Sequence, residues 1–357
     1  MTRPQGSPRA QADGNVLEIR DLRTYFYTDL GISRALNGVT LSVPTGSVMG
    51  VVGESGCGKS MTALSTMRLV PKPGRIVGGE IYFRRGQATK GSASTSIDLT
   101  TLDPMGDDIR SIRGGEIAMI FQEPMTSLNP SYTVGNQIME AVLLHQGLSR
   151  DQAQERAVRI LGRVGMPNPE RTVTQYPHEL SGGMRQRAMI AMGLSCTPDI
   201  LIADEPTTAL DVTTEAEILD LMRELQAEIG MTIIFITHNL GVVAQMCDRV
   251  AVMYLGRVVE ETSIDDLFYN PQHPYTKALL QSIPRVGSRS RDRLKPIRGV
   301  VPDPYAEVVG CPFHPRCDAM MAGLCDVRVP ALTQVAEGHG VRCFLYSEEG
   351  EDDVHEG

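Results

Sequence analysis

The chain has 357 residues, 41% of them hydrophobic and 22% charged, the composition of a globular protein with one large domain and room for an appendage. Its net charge of −9 leaves no global basic field with which to hold nucleic acid by its phosphates. No apolar run approaches the roughly 20 residues that span a bilayer, and the polar start, Met1 to Gly14, lacks the apolar stretch of a secretion signal, so any tie to a membrane is expected to run through a partner.

Short apolar runs alternate with amphipathic stretches. Val48 to Val52, Ile117 to Phe121, Ile200 to Ala203, Thr232 to Ile236 and Val250 to Tyr254 are expected as buried strands, and 134–146, 151–164 and 214–228 as helices. Such alternation predicts an α/β domain around a largely parallel sheet. The small polar run 84–98 is expected as a surface loop, and the basic run 285–298, set among Gly, Ser and Pro, as a solvated linker. The acidic tail from Glu348 has too little apolar surface to order itself.

GESGCGKS at 53–60 follows an apolar strand and precedes a helical pattern, as a phosphate loop does. Gly53, Gly56 and Gly58 let the backbone curl so that its N–H groups, those of Ser55 and Cys57 included, face phosphate oxygens at a helix N-terminus. Lys59 is then placed for the β- and γ-phosphates and Ser60 for Mg²⁺. A second element, ILIADE at 200–205, delivers Asp204 to a strand end where it can order the Mg²⁺ shell. Glu205 follows, placed to polarise an attacking water as general base. An apolar strand ending in acids is common and usually a capped edge; an upstream phosphate loop makes it the other half of a nucleotide site.

LSGGMRQR at 180–187 puts Ser181, Gly182 and Gly183 just before a long helical stretch, forming another anion-binding terminus. Taken alone, Ser-Gly-Gly is an N-capped helix start. One nucleotide needs only one phosphate loop, however, and the second terminus gains a use if two chains pair head to tail. Late in the chain, Cys311, Cys317, Cys325 and Cys343 crowd together, and four thiolates can hold Zn²⁺ or an iron–sulfur cluster. None of the short CxxC pairs usual for zinc occurs, although His314 or His339 can replace a thiolate. The segment 301–346 is short and sparse in apolar residues, so a staple of this kind is expected to fold it.

These motifs, in this order, resemble the ATP-binding cassette (ABC) transporter family over about 15–270. The resemblance implies an ABC-type phosphate-loop domain with a helical subdomain near 123–195, hydrolysing ATP with Mg²⁺. It also implies roles for four further residues. Gln122 matches the family's glutamine that contacts Mg²⁺ and water. Asp211 in TTALD matches the loop that crosses the dimer interface, and His238 the γ-phosphate-sensing histidine. Phe26 aligns with the aromatic that stacks on adenine, with Tyr25 and Tyr27 close enough to compete. Rival ATPases with the same head are disfavoured. DNA-repair members insert long coiled coils between loop and signature, and no sustained heptads lie between Ser60 and Leu180; the ribosome-recycling member has two cassettes and N-terminal cysteines.

FQEPMTSLNP at 121–130, YPHELSGGMRQRAMIAM at 176–192, HPYTKALLQSIP at 273–284 and GCPFHPRC at 310–317 resemble the oligopeptide and dipeptide branch of bacterial importers. That branch implies peptide as cargo, with nickel chelates and oligosaccharides as alternatives. It implies two different ATPase subunits paired beneath two permease subunits, an extracytoplasmic substrate-binding protein, and a seat at the cytoplasmic face of the inner membrane. It further implies a four-iron four-sulfur (4Fe-4S) cluster on Cys311, Cys317, Cys325 and Cys343. The expected division is a tail at 1–14, the cassette at 15–270, a linker at 271–300, a cysteine-rich segment at 301–346 and an acidic tail at 347–357.

Overall fold

The computed structural model describes residues 14–85, 95–122, 127–208, 210–282, 297–306, 308–347 and 350–351. With strands and helices numbered in chain order, five apolar runs form parallel neighbours. They are β3 (Val48–Val52), β6 (Ile117–Ile120), β7 (Ile200–Asp204), β8 (Thr232–Ile236) and β9 (Arg249–Tyr254), in the order β9-β3-β8-β7-β6. Every residue of β3, β7 and β8 is buried, the reason these strands read as unbroken apolar runs: a parallel sheet is covered on both faces.

Beyond β9 the sheet turns antiparallel through β10 (Arg257–Ser263), β13 (His339–Arg342) and β12 (Leu332–Ala336). The cysteine-bearing segment thus extends the main sheet by two strands. A second, four-stranded antiparallel sheet has the order β2-β1-β4-β5, from β1 (Asn15–Thr28), β2 (Gly31–Pro44), β4 (Gly74–Arg85) and β5 (Thr95–Asp98). Part of the run expected as a loop is therefore strand: Arg84 pairs with Ser96 and Arg85 with Thr95, while 86–94 lie outside the described residues. The N-terminal tail up to residue 13, most of the basic run 285–298 and the acidic tail, apart from a short strand β14 (Gly350–Glu351), also lie outside them.

Beside the sheet stand α3 (Val134–His145), α4 (Arg150–Arg163), the short α5 (Pro169–Thr172) and α6 (Gly182–Leu194). Each long helix begins at a side chain that satisfies an orphan backbone N–H: Thr133 for α3, Ser149 in a reciprocal capping box with Gln152 for α4, and Ser181 for α6. Helix α7 (Val212–Ile229) is capped by Asp211 and ends at Gly230 in the left-handed region.

The C-terminal segment does not rely on its own few apolar residues. Cys311, Phe313, Cys325 and Phe344 are buried in the same hydrophobic cluster as Val52 and Tyr254 of the cassette. The expected need for a staple rested on a segment folding alone; the shared core removes that premise. A polar anchor joins the two as well. Glu260 on β10, fully buried, accepts hydrogen bonds from the Gln272 and His273 backbone N–H groups at 2.7 and 2.9 Å, and lies 2.8 Å from His339 Nε2 on β13.

Candidate nucleotide site

The phosphate loop runs from the end of β3 into α1 (Lys59–Thr66). Gly53 and Gly58 are required by geometry. Both have positive φ; a Cβ on Gly58 would sit 2.7 Å from the Ala35 carbonyl oxygen, and one on Gly53 would collide with the Met253 carbonyl. Lys59 is buried and its Nζ donates to the carbonyls of Gly53 and Glu54 at 2.8 and 3.0 Å, closing the loop on itself. Cys57 is also buried, and burial holds its thiol above the usual range against the pull of Lys59.

Two carboxylates adjoin the loop. Ser60 Oγ donates to Asp204 Oδ1 at 3.0 Å, joining the start of α1 to the end of β7. Burial pushes the Asp204 carboxyl above its usual range, the Ser60 hydrogen bond opposing. A hydroxyl and a carboxylate are the hard oxygen donors that Mg²⁺ takes beside nucleotide phosphates, so the pair fits that ion.

Glu205 is the hub of the second half. Its φ of 47° is a left-handed conformation that non-glycine residues seldom adopt, held by its N–H donating to Ile236 O at 2.9 Å. Gln122 Nε2 donates to Glu205 Oε2 at 3.1 Å, Thr208 Oγ1 donates to the same oxygen at 3.0 Å, and His238 Nδ1 lies 3.0 Å from Oε1. Burial works to raise the Glu205 carboxyl, but the hydrogen bonds from His238 and Thr208 outweigh it and hold the carboxyl below its usual range. An ionised carboxylate so held is able to take a proton from a water set against it. Gln122, Glu205 and His238, 116 residues apart at the extremes (238 − 122), thus meet at one point. Thr208 completes the group. It was missed because a threonine in TTALD has no signal of its own beside Asp211.

Ser181, Gly182 and Gly183 take a different place. Ser181 Oγ accepts from Met184 N at 3.3 Å, the ordinary capping contact, while Gly182 has open space where a side chain would be. Among the described residues no hydrogen bond joins these three to Lys59, Ser60 or Asp204. Gly183 adjoins Thr214 of α7, and Thr214 in turn bonds Asp211 at 3.0 Å through its N–H and 2.8 Å through its hydroxyl. The Ser181–Gly183 turn and the Asp211 loop therefore share one surface, with Ser181, Gly182 and Asp211 all exposed.

A cavity of about 750 Å³ flanks the loop, lined by Tyr25, Arg34, Asn37, Ser55, Gly56 and, across from them, the stretch from Val301 to Pro304. Tyr25 is the aromatic on this wall, its hydroxyl donating to Asn37 Oδ1 at 2.8 Å. Phe26 packs against Gly74 on the neighbouring strand, and Tyr27 stacks under the Arg75 guanidinium at 4.2 Å.

The four late cysteines line one small apolar cavity together with Phe313 and Phe344. Among the described residues, however, no group of three or more His, Cys, Asp or Glu side chains is gathered to hold a metal ion. The expected zinc or 4Fe-4S centre on Cys311, Cys317, Cys325 and Cys343 therefore has no ready-made ligand set among the described residues. His339 Nε2 lies 2.8 Å from Glu260 Oε1, and His314 Nδ1 lies 2.9 Å from the Cys311 carbonyl oxygen. Burial raises three of the thiols: Cys311 is pushed up to about 12 and Cys343 to about 11, and Cys317 is raised, with the neighbouring cysteines adding to each.

Residues 36–208 match the family described as "ABC transporter", and 259–325 match "Oligopeptide/dipeptide transporter, C-terminal region". The chain is 49% identical over 347 residues to the "Probable peptide ABC transporter ATP-binding protein y4tR" of Sinorhizobium fredii, covering 97% of this chain and 98% of that protein. It is 47% identical to the "Oligopeptide transport ATP-binding protein AppD" of Bacillus subtilis, covering 94% and 98%. Among solved structures, the dimeric ATP-binding cassette MJ0796 bound to ADP and Pi superposes with a TM-score of 0.60 at 27% identity, over 70% of this chain and 98% of that one.

Proposed function

The chain belongs to the ABC transporter family as one of its ATP-binding subunits, and from that premise we propose that it hydrolyses ATP to drive the import of oligopeptides or dipeptides. The observation that carries the reading is the convergence of Gln122, Thr208 and His238 on Glu205, beside the Ser60–Asp204 pair. A module that merely bound nucleotide would have no need of an oriented carboxylate. In this reading the loop N–H groups from Gly53 to Lys59 and the Lys59 ammonium hold the phosphates. Ser60, Asp204 and Gln122 hold Mg²⁺, Glu205 is the general base, and His238 orients it and senses the γ-phosphate. The cavity lined by Tyr25 takes the nucleoside, which favours Tyr25 over Phe26 as the adenine contact.

Peptide as cargo rests on the match of 259–325 and on the names of the relatives. Among the described residues no helix is long and apolar enough to cross a membrane, so the cargo path belongs to partners. Those partners are two permease subunits, an extracytoplasmic binding protein and a second ATPase subunit, with this chain peripheral at the cytoplasmic face. Its division into a cassette at 15–270 and a cysteine-rich segment at 301–346 belongs to the same proposal. Co-expressed with its permeases in vesicles, the chain should hydrolyse ATP severalfold faster when binding protein loaded with oligopeptide is added. Stimulation by a nickel chelate or an oligosaccharide, and none by peptide, would reassign the cargo.

The four cysteines carry a second part of the proposal, a 4Fe-4S cluster. What supports it is that all four cysteines line one cavity, and a four-iron cluster is wider than the single ion whose ligand set is lacking. Bound, such a cluster supplies four iron–thiolate bonds that tie 301–346 together. Protein purified anaerobically should then hold close to four irons per chain and absorb broadly near about 400 nm. Stoichiometric zinc, or four freely alkylated thiols with neither metal, would overturn it.

A further inference from the structure

Arg316, at the end of the turn His314–Arg316, reaches out of the cysteine-rich segment into the phosphate loop. Its Nη1 donates to Glu54 Oε2 at 2.6 Å and its Nη2 to Glu54 Oε1 at 3.0 Å, a two-pronged pair between residues 262 positions apart. Two further donors are used: Nη1 also reaches Tyr254 Oη at 3.2 Å, and Nε the Arg298 carbonyl at 3.0 Å. The Arg316 side chain is only 4% exposed and that of Glu54 25%, so the pair is sealed on the arginine side. The hydrogen bond to Glu54 holds the guanidinium well above its ordinary range.

Glu54 is the second residue of GESGCGKS, and it is held at three points. Its carboxylate meets Arg316, its N–H donates to Tyr275 Oη at 2.9 Å, and its carbonyl accepts from Lys59 Nζ at 3.0 Å. Beneath them the rings of Tyr254, Tyr275 and Phe313 pack at centroid distances of 4.7 to 5.4 Å. Two of the grips come from outside the loop, and the charged one comes from the residue beside Cys317. An unpaired carboxylate at this position would repel the triphosphate that the loop must bind.

We propose that Arg316 is a positioning residue for ATP: by fixing and neutralising Glu54 it shapes the phosphate loop, and it thereby couples the cysteine-rich segment to nucleotide affinity. The inference rests on ATP binding at this loop. Because coupling is reciprocal, ATP must in turn steady the segment that carries Arg316. Lysine cannot replace the arginine, since a single ammonium cannot reproduce the fork.

The test measures KM, kcat and the Kd for a fluorescent ATP analogue in the full chain. Arg316→Gln should raise KM and Kd by a factor within the roughly 5- to 150-fold of typical site-to-site coupling, with kcat at saturation changed much less. Arg316→Lys should fall between. Adding Glu54→Gln to Arg316→Gln should recover most of the affinity, because it removes the stranded charge; a merely structural arginine would gain nothing from that second change. ATP should also protect 301–346 from proteolysis in the parent and not in Arg316→Gln. Unchanged KM in either single variant would overturn the proposal, as would a raised KM that the double variant leaves uncorrected. If Arg316→Gln does not fold, Arg316→Lys with and without Glu54→Gln decides by the same criteria. A parent chain that bound no ATP would instead sink the nucleotide reading beneath it.

Discussion

Glu205→Gln is expected to leave ATP bound and to cut hydrolysis by about 10²- to 10⁴-fold, the loss that follows removal of a positioned base. The substitution is nearly isosteric, so Gln122 and Thr208 can still donate to a side-chain oxygen where Oε2 stands. What is lost is the charge, which hydrogen bonds from His238 and Thr208 stabilise and which must receive a proton from the attacking water. Binding should survive because Lys59, Ser60 and the loop N–H groups are untouched, Lys59 being buried and Ser60 held by Asp204. Single-turnover hydrolysis alongside nucleotide binding separates the two effects. A rate near that of the parent would place the base elsewhere.

The parts of the site legible in the sequence are those whose chemistry is local. GESGCGKS is a contiguous backbone device, and its two strained glycines stand where the pattern demands them. The five parallel strands were legible because full burial writes itself as an apolar run. The four-stranded antiparallel sheet was not. β1 mixes Leu17, Ile19 and Leu22 with exposed Arg20 and Asp21, and its pairing with β2 shifts register four times, which breaks the alternation that would have marked it. Likewise Thr95–Asp98 carries a single apolar residue, Ile97, because β5 lies at a sheet edge, where a strand needs little apolar surface.

What no local pattern can carry is a partner far along the chain. In GCPFHPRC the visible signal is the cysteines, whereas the structure gives its arginine a contact with the phosphate loop and its phenylalanine a place in the cassette core. The cysteines themselves belong as much to that core as to any metal centre. A reader of sequence weighs ligand spacing; the fold decides first whether those thiols are buried as packing.

Ser181→Arg is expected to abolish most turnover while sparing ATP bound by the same chain. The motive is geometric. Ser181, Gly182 and Asp211 are exposed on one surface, and among the described residues none of them bonds Lys59, Ser60 or Asp204. A helix terminus of this kind attracts anions, and within one chain it faces no phosphate site. The cassette MJ0796, to which this fold is similar, is a dimer in its ADP and Pi complex. If two chains pair head to tail, the terminus of each meets the γ-phosphate on the other. A bulky arginine there should cost about 10²- to 10³-fold, the scale at which loss of a positioned donor to developing negative charge registers. Mixing provides the sharper measurement. Ser181→Arg chains keep a sound Lys59 and Lys59→Ala chains keep a sound Ser181, so a mixture of the two inactive proteins rebuilds one competent site per mixed pair and should recover activity. If the chain works only with a different ATPase subunit, the same pair of substitutions is divided between the two partners. Parental turnover by Ser181→Arg, in a protein that stays monomeric throughout the assay, would show that the second terminus is a helix cap and nothing more.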